Sequence, residues 1–170
     1  MSQKAPPTVD AATRNGWLRL DDAGLLAQCD EEGYRSRGPG GQRRNKVETA
    51  ARVRHRPTGL EAHAAETRRR EENRHRALQR LRERIAIEVR APYEEPPELA
   101  EYRRGKQLSI NIRNPAYPVV LAAVLDALAE ADGSYAGAAK KLATTTSQLL
   151  KFLKSDREAW RSLSEGRPEA

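Results

Sequence analysis

The stretch AARVRHRPTGLEAHA (residues 50–64) alternates small or apolar residues with charged ones on both sides of a Pro-Thr-Gly turn. A period of two is typical of strands with one buried face, and the turn predicts a β-hairpin. The side of the hairpin that faces a core is predicted to carry Ala51, Val53, His55, Leu60, Ala62 and Ala64. The other side carries Arg52, Arg54 and Arg56, and a basic face of this kind suits contact with RNA.

The next segment, ETRRREENRHRALQRLRERIAIEV, contains neither Gly nor Pro and consists largely of good helix formers. It predicts one long helix over residues 66–88. Leu78, Leu81 and Ile85, joined by Ala77, recur at helical spacing, so this stripe is expected to cover the apolar side of the hairpin. Many Arg and Glu residues on the other faces lie four apart, so part of their charge belongs to a solvated helix surface.

The chain divides by composition into four parts. Residues 1–16 are predicted to be a flexible tail. Residues 17–90 hold a short helix at LDDAGLLAQC, a strand from Cys29 to Arg35, the hairpin and the long helix, which together predict an α+β fold with a small sheet packed by one helix. Residues 91–104, with three prolines and four Glu, predict a linker or an ordered wrap. Residues 105–170 predict a C-terminal helical segment.

This C-terminal segment has the spacing of paired helices. Pro118 is predicted to start a helix that ends near residues 132–133. A short helix, a polar turn at residues 144–146 and a second helix capped by Ser147 follow. The spacing resembles a helix-turn-helix, although Ala143 stands where Gly is usual. Many such pairs are only packing units, and contact with RNA or protein is favoured over the reading of DNA.

Positive charge is concentrated in one part of the chain. Residues 35–90 hold 17 Lys and Arg against 7 Glu, whereas the net charge of the whole chain is +7. Such a block is the usual electrostatic signature of a protein that binds a polyanion, and a dispersed solvated surface explains it less well. We therefore expect a nucleic acid as partner.

Other classes of site find little support. The single cysteine, Cys29, excludes an internal disulfide and a cysteine-based zinc site, and it fits a reducing compartment. The spacings of His55, His63 and His75 match no zinc pattern, so we expect no metal and no cofactor. No apolar run is long enough to span a membrane, and the N-terminus lacks the apolar core of a secretory signal. The chain is therefore expected to be cytoplasmic, monomeric and without membrane contact.

The stretch RSRGPGGQRRNKVETA (residues 35–50) is a glycine-rich loop inside the basic block. Gly38, Gly40 and Gly41 precede Gln42, a side chain without charge. The loop lacks the Lys-Ser/Thr ending of a P-loop and the spacing of a dinucleotide fingerprint, so it does not predict a nucleotide site. A structural turn whose amide satisfies itself is the alternative to a functional loop.

Together with HRPTG and ENRHRALQRLRERI further on, this stretch closely resembles the catalytic domain of class I peptide chain release factors, a group that includes codon-independent ribosome-rescue hydrolases. The resemblance covers roughly residues 29–87. The residues that match the family pattern are Arg35, Ser36, Gly38, Gly40, Gly41, Gln42, Asn45, Thr49 and Ala50. The chain departs from the pattern at Arg43 and Arg44, where a small or polar residue and an aliphatic one are usual. It also departs at Ala51, which replaces Ile or Val.

The resemblance implies a ribosome-dependent enzyme that hydrolyses the ester of peptidyl-tRNA in the peptidyl-transferase centre. It implies catalytic roles for Gly40, Gly41 and Gln42, with the Gln42 backbone N–H donating to the oxyanion and the side-chain amide positioning water. The residues expected to hold rRNA and tRNA phosphates are Arg35, Arg37, Arg43, Arg44, Lys46, Arg52 and Arg54. The implied partners are the large ribosomal subunit and P-site peptidyl-tRNA.

Full release factors of this type carry further domains that read the stop codon, and neither side of the loop has room for them here. We therefore expect codon-independent ribosome rescue. The main alternative is a ribosome or structured-RNA binding protein that uses the same fold without catalysis. A release factor-like partner of an RNA-processing enzyme is a third hypothesis. A transcriptional regulator would rest on the helix-turn-helix spacing alone.

Overall fold

The computed structural model describes residues 8–34 and 49–165. Within them the chain forms eight helices and five short strands, all of the strands antiparallel. It divides into two compact units, of which the first holds residues 8, 16–34 and 49–89, and the second holds residues 9–15 and 90–165. The combination of small antiparallel sheets and helices confirms the predicted α+β class.

The first unit contains a three-stranded sheet whose strands pair in the order of the sequence. Its elements are the end of α1 (Ala11–Arg19), α2 (Asp22–Ala27), β1 (Cys29–Tyr34), β2 (Ala50–His55), β3 (Glu61–Ala64) and α3 (Arg70–Glu88). The start of α2 is capped by Asp21, whose carboxylate accepts a hydrogen bond from the backbone N–H of Gly24 at 2.7 Å.

The β2–β3 hairpin has one buried and one exposed face, as the alternation of its residues predicted. Val53 is inaccessible to solvent, whereas Arg52 and Arg54 on either side of it are exposed. The turn closes with a hydrogen bond from the His55 N–H to the Leu60 carbonyl at 2.8 Å. Gly59 in this turn has a φ of 73°, a conformation that residues with a Cβ rarely adopt.

Helix α3 covers the buried face of the sheet and contacts both β2 and β3. Its buried side chains are Asn73, Ala77, Leu78, Leu81, Ile85 and Ala86. Burying a side chain of the size of Leu78, Leu81 or Ile85 stabilises the fold by about 1.5–3 kcal/mol. The predicted packing of one long helix on a small sheet is therefore confirmed.

Helix α3 begins at Arg70, so the predicted start at residue 66 was wrong. Polar side chains hold the preceding backbone in a turn instead. The Thr67 hydroxyl accepts from the Arg69 N–H at 3.2 Å and donates to the Arg69 carbonyl at 3.0 Å. Threonine competes with helical hydrogen bonding in this way, which delays the first turn of the helix.

The second unit is almost entirely helical. Besides the first residues of α1, its elements are α4 (Pro97–Tyr102), β4 (Arg103–Arg104), β5 (Gln107–Leu108), α5 (Tyr117–Glu130), α6 (Tyr135–Lys141), α7 (Thr146–Ser155) and α8 (Arg157–Glu165). Its central helix is α5, where every residue from Val119 to Leu128 is buried. Pro118 lies in the first turn of α5, and Asp132 and Gly133 have positive φ just beyond its end, as the sequence predicted.

Two segments of the second unit differ from what the sequence indicated. Part of the predicted tail forms α1, where Arg14 is fully buried and lies 2.7 Å from the Asp126 carboxylate. Part of the predicted linker forms α4, whose Leu99 is inaccessible to solvent. A buried arginine that is paired with a carboxylate leaves no apolar periodicity in the sequence, so α1 gave no signal of its burial.

The predicted helix-turn-helix spacing corresponds to α6 and α7. Helix α7 begins at Thr146, one residue before the predicted cap Ser147. The cap is Thr145, whose side chain accepts a hydrogen bond from the Gln148 N–H at 3.2 Å. Ala143 in the turn has a φ of 51°, the left-handed conformation for which glycine is usual at this position.

Candidate functional site

The glycine-rich loop connects β1 to β2. Residues 35–48 are not among those that the structure describes. The predicted site residues in this range are Gly40, Gly41, Gln42, Arg35, Arg37, Arg43, Arg44 and Lys46, and their roles stay predictions. Both strand ends are described, and Tyr34 and Ala50 are Cα partners in the antiparallel pair. The loop therefore starts and finishes at neighbouring positions at one end of the sheet.

The chain is held directly after the loop by a buried asparagine on α3. Asn73 is inaccessible to solvent. Its Nδ2 donates to the carbonyls of Thr49 at 2.8 Å and Thr67 at 2.9 Å. Its Oδ1 accepts from the Thr67 N–H at 3.0 Å and lies 3.2 Å from the Thr67 hydroxyl, whose one hydrogen it shares with the Arg69 carbonyl. Because Thr49 immediately follows residue 48, this side chain fixes one end of the loop to the helix.

Asn73 was missed as a site residue from the sequence, although a signal was present. It lies four residues before Ala77 and eight before Leu81, so it belongs to the apolar stripe of α3. A lone amide on such a stripe must find hydrogen-bond partners in the interior, since an unpaired buried polar group is costly. The identity of those partners depends on the sheet register, which the sequence alone does not give.

Arg52 and Arg54 are the two predicted RNA-binding residues that the structure describes. Their side chains are 47% and 60% exposed and lie on the open face of the sheet. Glu61 on β3 lies between them. It accepts hydrogen bonds from Arg52 and is 3.8 Å from the Arg54 Nε. A phosphate that bound here would therefore compete with one carboxylate for both guanidinium groups.

A second cluster of charge lies between β1 and the first turns of α3. Glu31 on β1 is 2.9 Å from the Arg74 Nε and 3.5 Å from the Arg70 guanidinium. The Arg70 guanidinium also lies over Gly33, where a Cβ would come within 3.2 Å of it. Arg70 and Arg74 thus lie next to β1, the strand that leads into the loop. Their spacing of four residues places them on one face of α3, which the sequence alone indicates.

His55 is a structural residue. It is inaccessible to solvent, within 2.9 Å of the Thr58 hydroxyl and 3.2 Å of the Gln28 amide oxygen, and its ring makes an edge contact with Trp17. Burial, with a smaller contribution from Arg56, lowers the pKa of His55 to about 4. At neutral pH the imidazole is therefore uncharged and enclosed, so it is not available to a substrate.

The other candidates for metal or acid-base chemistry are dispersed. His75 pairs with Asp22 at 2.5 Å on the surface, and His63 is exposed on β3. Within residues 8–34 and 49–165, no group of three or more His, Cys, Asp or Glu is placed to hold a metal ion. Burial raises the pKa of the Cys29 thiol to about 11, so it is protonated and unreactive at neutral pH.

The fold and the position of the loop agree with the comparisons to known proteins. A sheet covered by one helix, with the Gly-Gly-Gln stretch on the connection between its first two strands, is the arrangement that the sequence predicted. The RF-1 domain model matches residues 26–117, more than half of the chain, and the chain belongs to this family.

Three relatives show the extent of the similarity. The chain is 42% identical over 78 residues to an uncharacterised peptide chain release factor-like protein, mitochondrial, of Saccharomyces cerevisiae, which covers 45% of this chain and 48% of that protein. It is 42% identical over 72 residues to peptide chain release factor 1 of Chloroherpeton thalassium, which covers 42% of this chain and 20% of that protein. It is 46% identical over 55 residues to that of Symbiobacterium thermophilum, which covers 32% and 15%.

The chain thus spans about half the length of the yeast relative that it matches, and a fifth or less of release factor 1. No solved structure is significantly similar to it. None of the described helices combines the length and the apolar character needed to cross a membrane.

Proposed function

We propose that the chain is a codon-independent, ribosome-dependent hydrolase that releases the peptide from peptidyl-tRNA. The observation that carries this proposal is the RSRGPGGQ motif on a connection whose two ends are fixed by the Tyr34–Ala50 pair and by Asn73. A loop anchored at its base on a rigid sheet can present its tip to a site on another molecule. The family assignment supports the same reading.

In the proposed reaction, the ribosome and the tRNA supply the substrate ester and most of the surrounding charge. The protein supplies Gln42, whose backbone N–H donates to the developing oxyanion and whose side-chain amide holds water about 3 Å from the ester carbonyl. Gly40 and Gly41 let the backbone enter a site in which a Cβ would clash. Water attacks the carbonyl carbon, and the bond to the tRNA ribose oxygen breaks, which leaves a free peptide acid and a tRNA hydroxyl.

The basic residues of the loop and the sheet are proposed to hold rRNA and tRNA phosphates. Those on the loop are Arg35, Arg37, Arg43, Arg44 and Lys46. Arg52 and Arg54 extend this surface, because both side chains are exposed on the open face of the sheet. The proposed partners are the large ribosomal subunit and P-site peptidyl-tRNA. A cytoplasmic location stays a prediction, and the yeast relative is named as mitochondrial.

The proposal is tested by peptide release from ribosomes with labelled peptidyl-tRNA in the P site, on short, long and stop-containing mRNA. The wild-type chain should release peptide without a stop codon. Gln42→Ala removes the amide that positions water, and Gly41→Ala adds a Cβ that would displace the loop. Each should lower the rate by about 10²-fold or more, the size of effect expected when a reacting group is misplaced by about 1 Å. The matched control is Gln79→Ala, an exposed glutamine on α3, which should release peptide normally. Full activity of Gln42→Ala would refute the catalytic role of the loop.

The same assay separates the main alternative, a ribosome or structured-RNA binder without catalysis. The concentration of charge in residues 35–90 supports RNA binding whether or not Gln42 acts. This alternative predicts salt-sensitive ribosome binding, no peptide release, and binding that Gln42→Ala leaves unchanged. Release that requires a stop codon would retain catalysis and overturn codon independence.

A further inference from the structure

The second unit carries a cluster of basic residues that the proposed reaction does not use. They lie on the β4–β5 hairpin and on helices α6 and α7, and their side chains are all exposed. We call them the C-terminal basic surface: Arg104, Lys106, Lys140, Lys151 and Lys154. These four elements and the α6–α7 turn contain no Asp or Glu at all. The charged side chains of these elements are therefore all positive, and the nearest carboxylates come from Glu95 and Glu130 on neighbouring segments.

Two hydrogen bonds hold the hairpin against the turn between α6 and α7. Arg103 on β4 donates to the carbonyl of Leu142 at 3.1 Å. Thr144 in the turn donates through its hydroxyl to the carbonyl of Lys106 at 2.5 Å. The hairpin therefore lies against the turn that leads into α7, and the two contribute to one surface.

Helix α7 is strongly amphipathic. Leu149, Phe152 and Leu153 are buried. Ser147, Lys151 and Lys154, spaced by four and three residues, form an exposed stripe on the opposite side. The polar stripe begins beside Thr145 and Thr146, which are exposed at the helix start. Hydroxyls and lysines without a carboxylate are groups that bind phosphate.

Arg103 and Lys141 on the same elements pair with Glu95 and Glu130, but the five side chains of the surface are less neutralised than the arginines of the sheet. Arg52 and Arg54 share Glu61, whereas Arg104, Lys106, Lys140 and Lys151 make no ion pair within residues 8–34 and 49–165. Lys154 lies over the ring of Trp160, 5.3 Å from its centroid. Like charges held together without counter-ions repel one another and favour a polyanionic partner.

We propose that the C-terminal basic surface binds the phosphate backbone of double-stranded RNA. The choice of RNA rests on the proposed function, which places the chain on the ribosome. The exposed stripe of α7 lacks the Arg and Asn side chains that most often read base edges, so contact with the backbone is favoured over sequence readout. The shallow minor groove and flanking phosphates of an A-form helix suit short hydroxyls and flexible lysines.

The test measures binding of the full chain to a 20-base-pair RNA duplex across a salt series. The double variant Lys106→Gln/Lys151→Gln should weaken binding about tenfold at low salt and lower the slope of log K against log salt by about two, one for each phosphate that is no longer neutralised. The control, Arg113→Gln/Arg161→Gln, removes the same charge from exposed positions outside the surface and should change neither quantity. Equal effects of the two double variants would overturn the proposal.

A second measurement locates the bound duplex directly. Addition of the RNA duplex should shift the backbone amide NMR signals of Lys106 and Thr145–Ser147 more than those of α8. Shifts confined to the first unit would contradict the proposal. A DNA duplex of the same sequence that binds more tightly than RNA would also overturn it, and would favour the helix-turn-helix reading instead.

Failure of this proposal can be told apart from failure of the proposed function. Gln42→Ala should abolish peptide release but leave duplex binding and its salt slope at wild-type values. If the wild-type chain releases no peptide, but Lys106→Gln/Lys151→Gln weakens duplex binding, the RNA-binding proposal is supported and the catalytic proposal is refuted. If the wild-type chain releases peptide normally, but the double variant binds the duplex as well as wild type, the catalytic proposal is supported and the RNA-binding proposal is refuted.

Discussion

Asn73 links the helix, the chain before it and the end of the loop through one buried amide. Both hydrogens on Nδ2 are donated, to Thr49 and Thr67, and Oδ1 accepts from the Thr67 N–H. Every polar atom of this side chain therefore has a partner. Replacing it would leave two partly buried backbone carbonyls without a donor, which costs more free energy than removing both partners of a hydrogen bond.

We predict that Asn73→Ala lowers the free energy of unfolding by about 1–3 kcal/mol, because two partly buried carbonyls lose their donor. It should also lower peptide release more than loss of stability explains, since the end of the loop is no longer fixed. Urea unfolding and the release assay measure the two effects. Gln79→Ala on the exposed side of α3 is the control. A variant with wild-type stability and release would show that Asn73 does not position the loop.

His55 makes stability depend on pH. Its folded pKa of about 4 lies below the ordinary value of 6.5. As pH falls below 6.5, the unfolded chain takes up a proton that the folded chain does not, so stability decreases and the loss is complete below about pH 4.

Between pH 7.5 and pH 5 this effect should lower the free energy of unfolding by about 1–2 kcal/mol. His55→Gln is less stable at pH 7.5 because it loses packing against Trp17, but its stability should depend less on pH. His63→Gln, an exposed replacement on β3, should keep the wild-type dependence. Thermal unfolding across the pH range measures all three chains, and equal slopes for His55→Gln and wild type would contradict the assignment.

Asp126 shows a different use of a buried charge. Its carboxylate is 1% exposed and lies 2.7 Å from Arg14 and 3.0 Å from Arg90, and it accepts from the Ala91 N–H at 3.1 Å. Burial raises the pKa of Asp126 despite these two arginines, and burial also lowers the pKa of Arg90 to about 10. A triad of this kind adds little net stability, but the loss of one member leaves a charge in the interior.

At the scale of elements, the packing of α3 on the sheet carries the first unit. Leu81 is inaccessible to solvent and lies on the stripe that faces β2 and β3. We predict that Leu81→Ala lowers the free energy of unfolding by about 2–5 kcal/mol through reduced burial and a residual cavity. Arg76→Ala, exposed on the same helix, should change it by less than about 0.5 kcal/mol. Chemical denaturation measures both, and a small effect of Leu81→Ala would show that α3 is not part of the core.

The elements that the sequence predicted well are those with strong apolar periodicity. Alternation in residues 51–64 gave both faces of the hairpin, and the Leu78–Leu81–Ile85 stripe gave the packing of α3. Elements held by polar contacts were missed or misplaced. The start of α3 depends on Thr67, and α1 depends on the ion pair between Arg14 and Asp126. Partners that are distant in sequence leave no local pattern.

For the whole molecule, the part of the sequence with the most positive charge is not the part whose described basic side chains are free of carboxylate partners. Residues 35–90 carry the largest excess of Lys and Arg, yet most of the described arginines in that block are paired with carboxylates. The C-terminal basic surface has a smaller excess but no competing carboxylates on its elements. Counting charge along a sequence cannot distinguish the two cases, because pairing is set by tertiary contacts.

The motif of the candidate site could be recognised in the sequence, whereas the contacts that hold its loop in place could not. Gly40, Gly41 and Gln42 follow from a pattern of residue types, and Arg52 and Arg54 from strand alternation. The support by Asn73 and the competition from Glu61 required the sheet register and the packing of α3. The residues that support the loop are thus harder to predict from the sequence than the residues of the motif itself.

The pairing of Tyr34 with Ala50, together with the hydrogen bond from Asn73 to the Thr49 carbonyl, fixes the strand ends at the base of the loop. Strand register is then independent of how many residues lie between these points. The entropy of closing a flexible connection grows slowly, by about 0.6 kcal/mol for each doubling of its length. We therefore expect the scaffold to tolerate insertions and deletions in this connection, so that under the proposed function only the reach of Gln42 would limit its length.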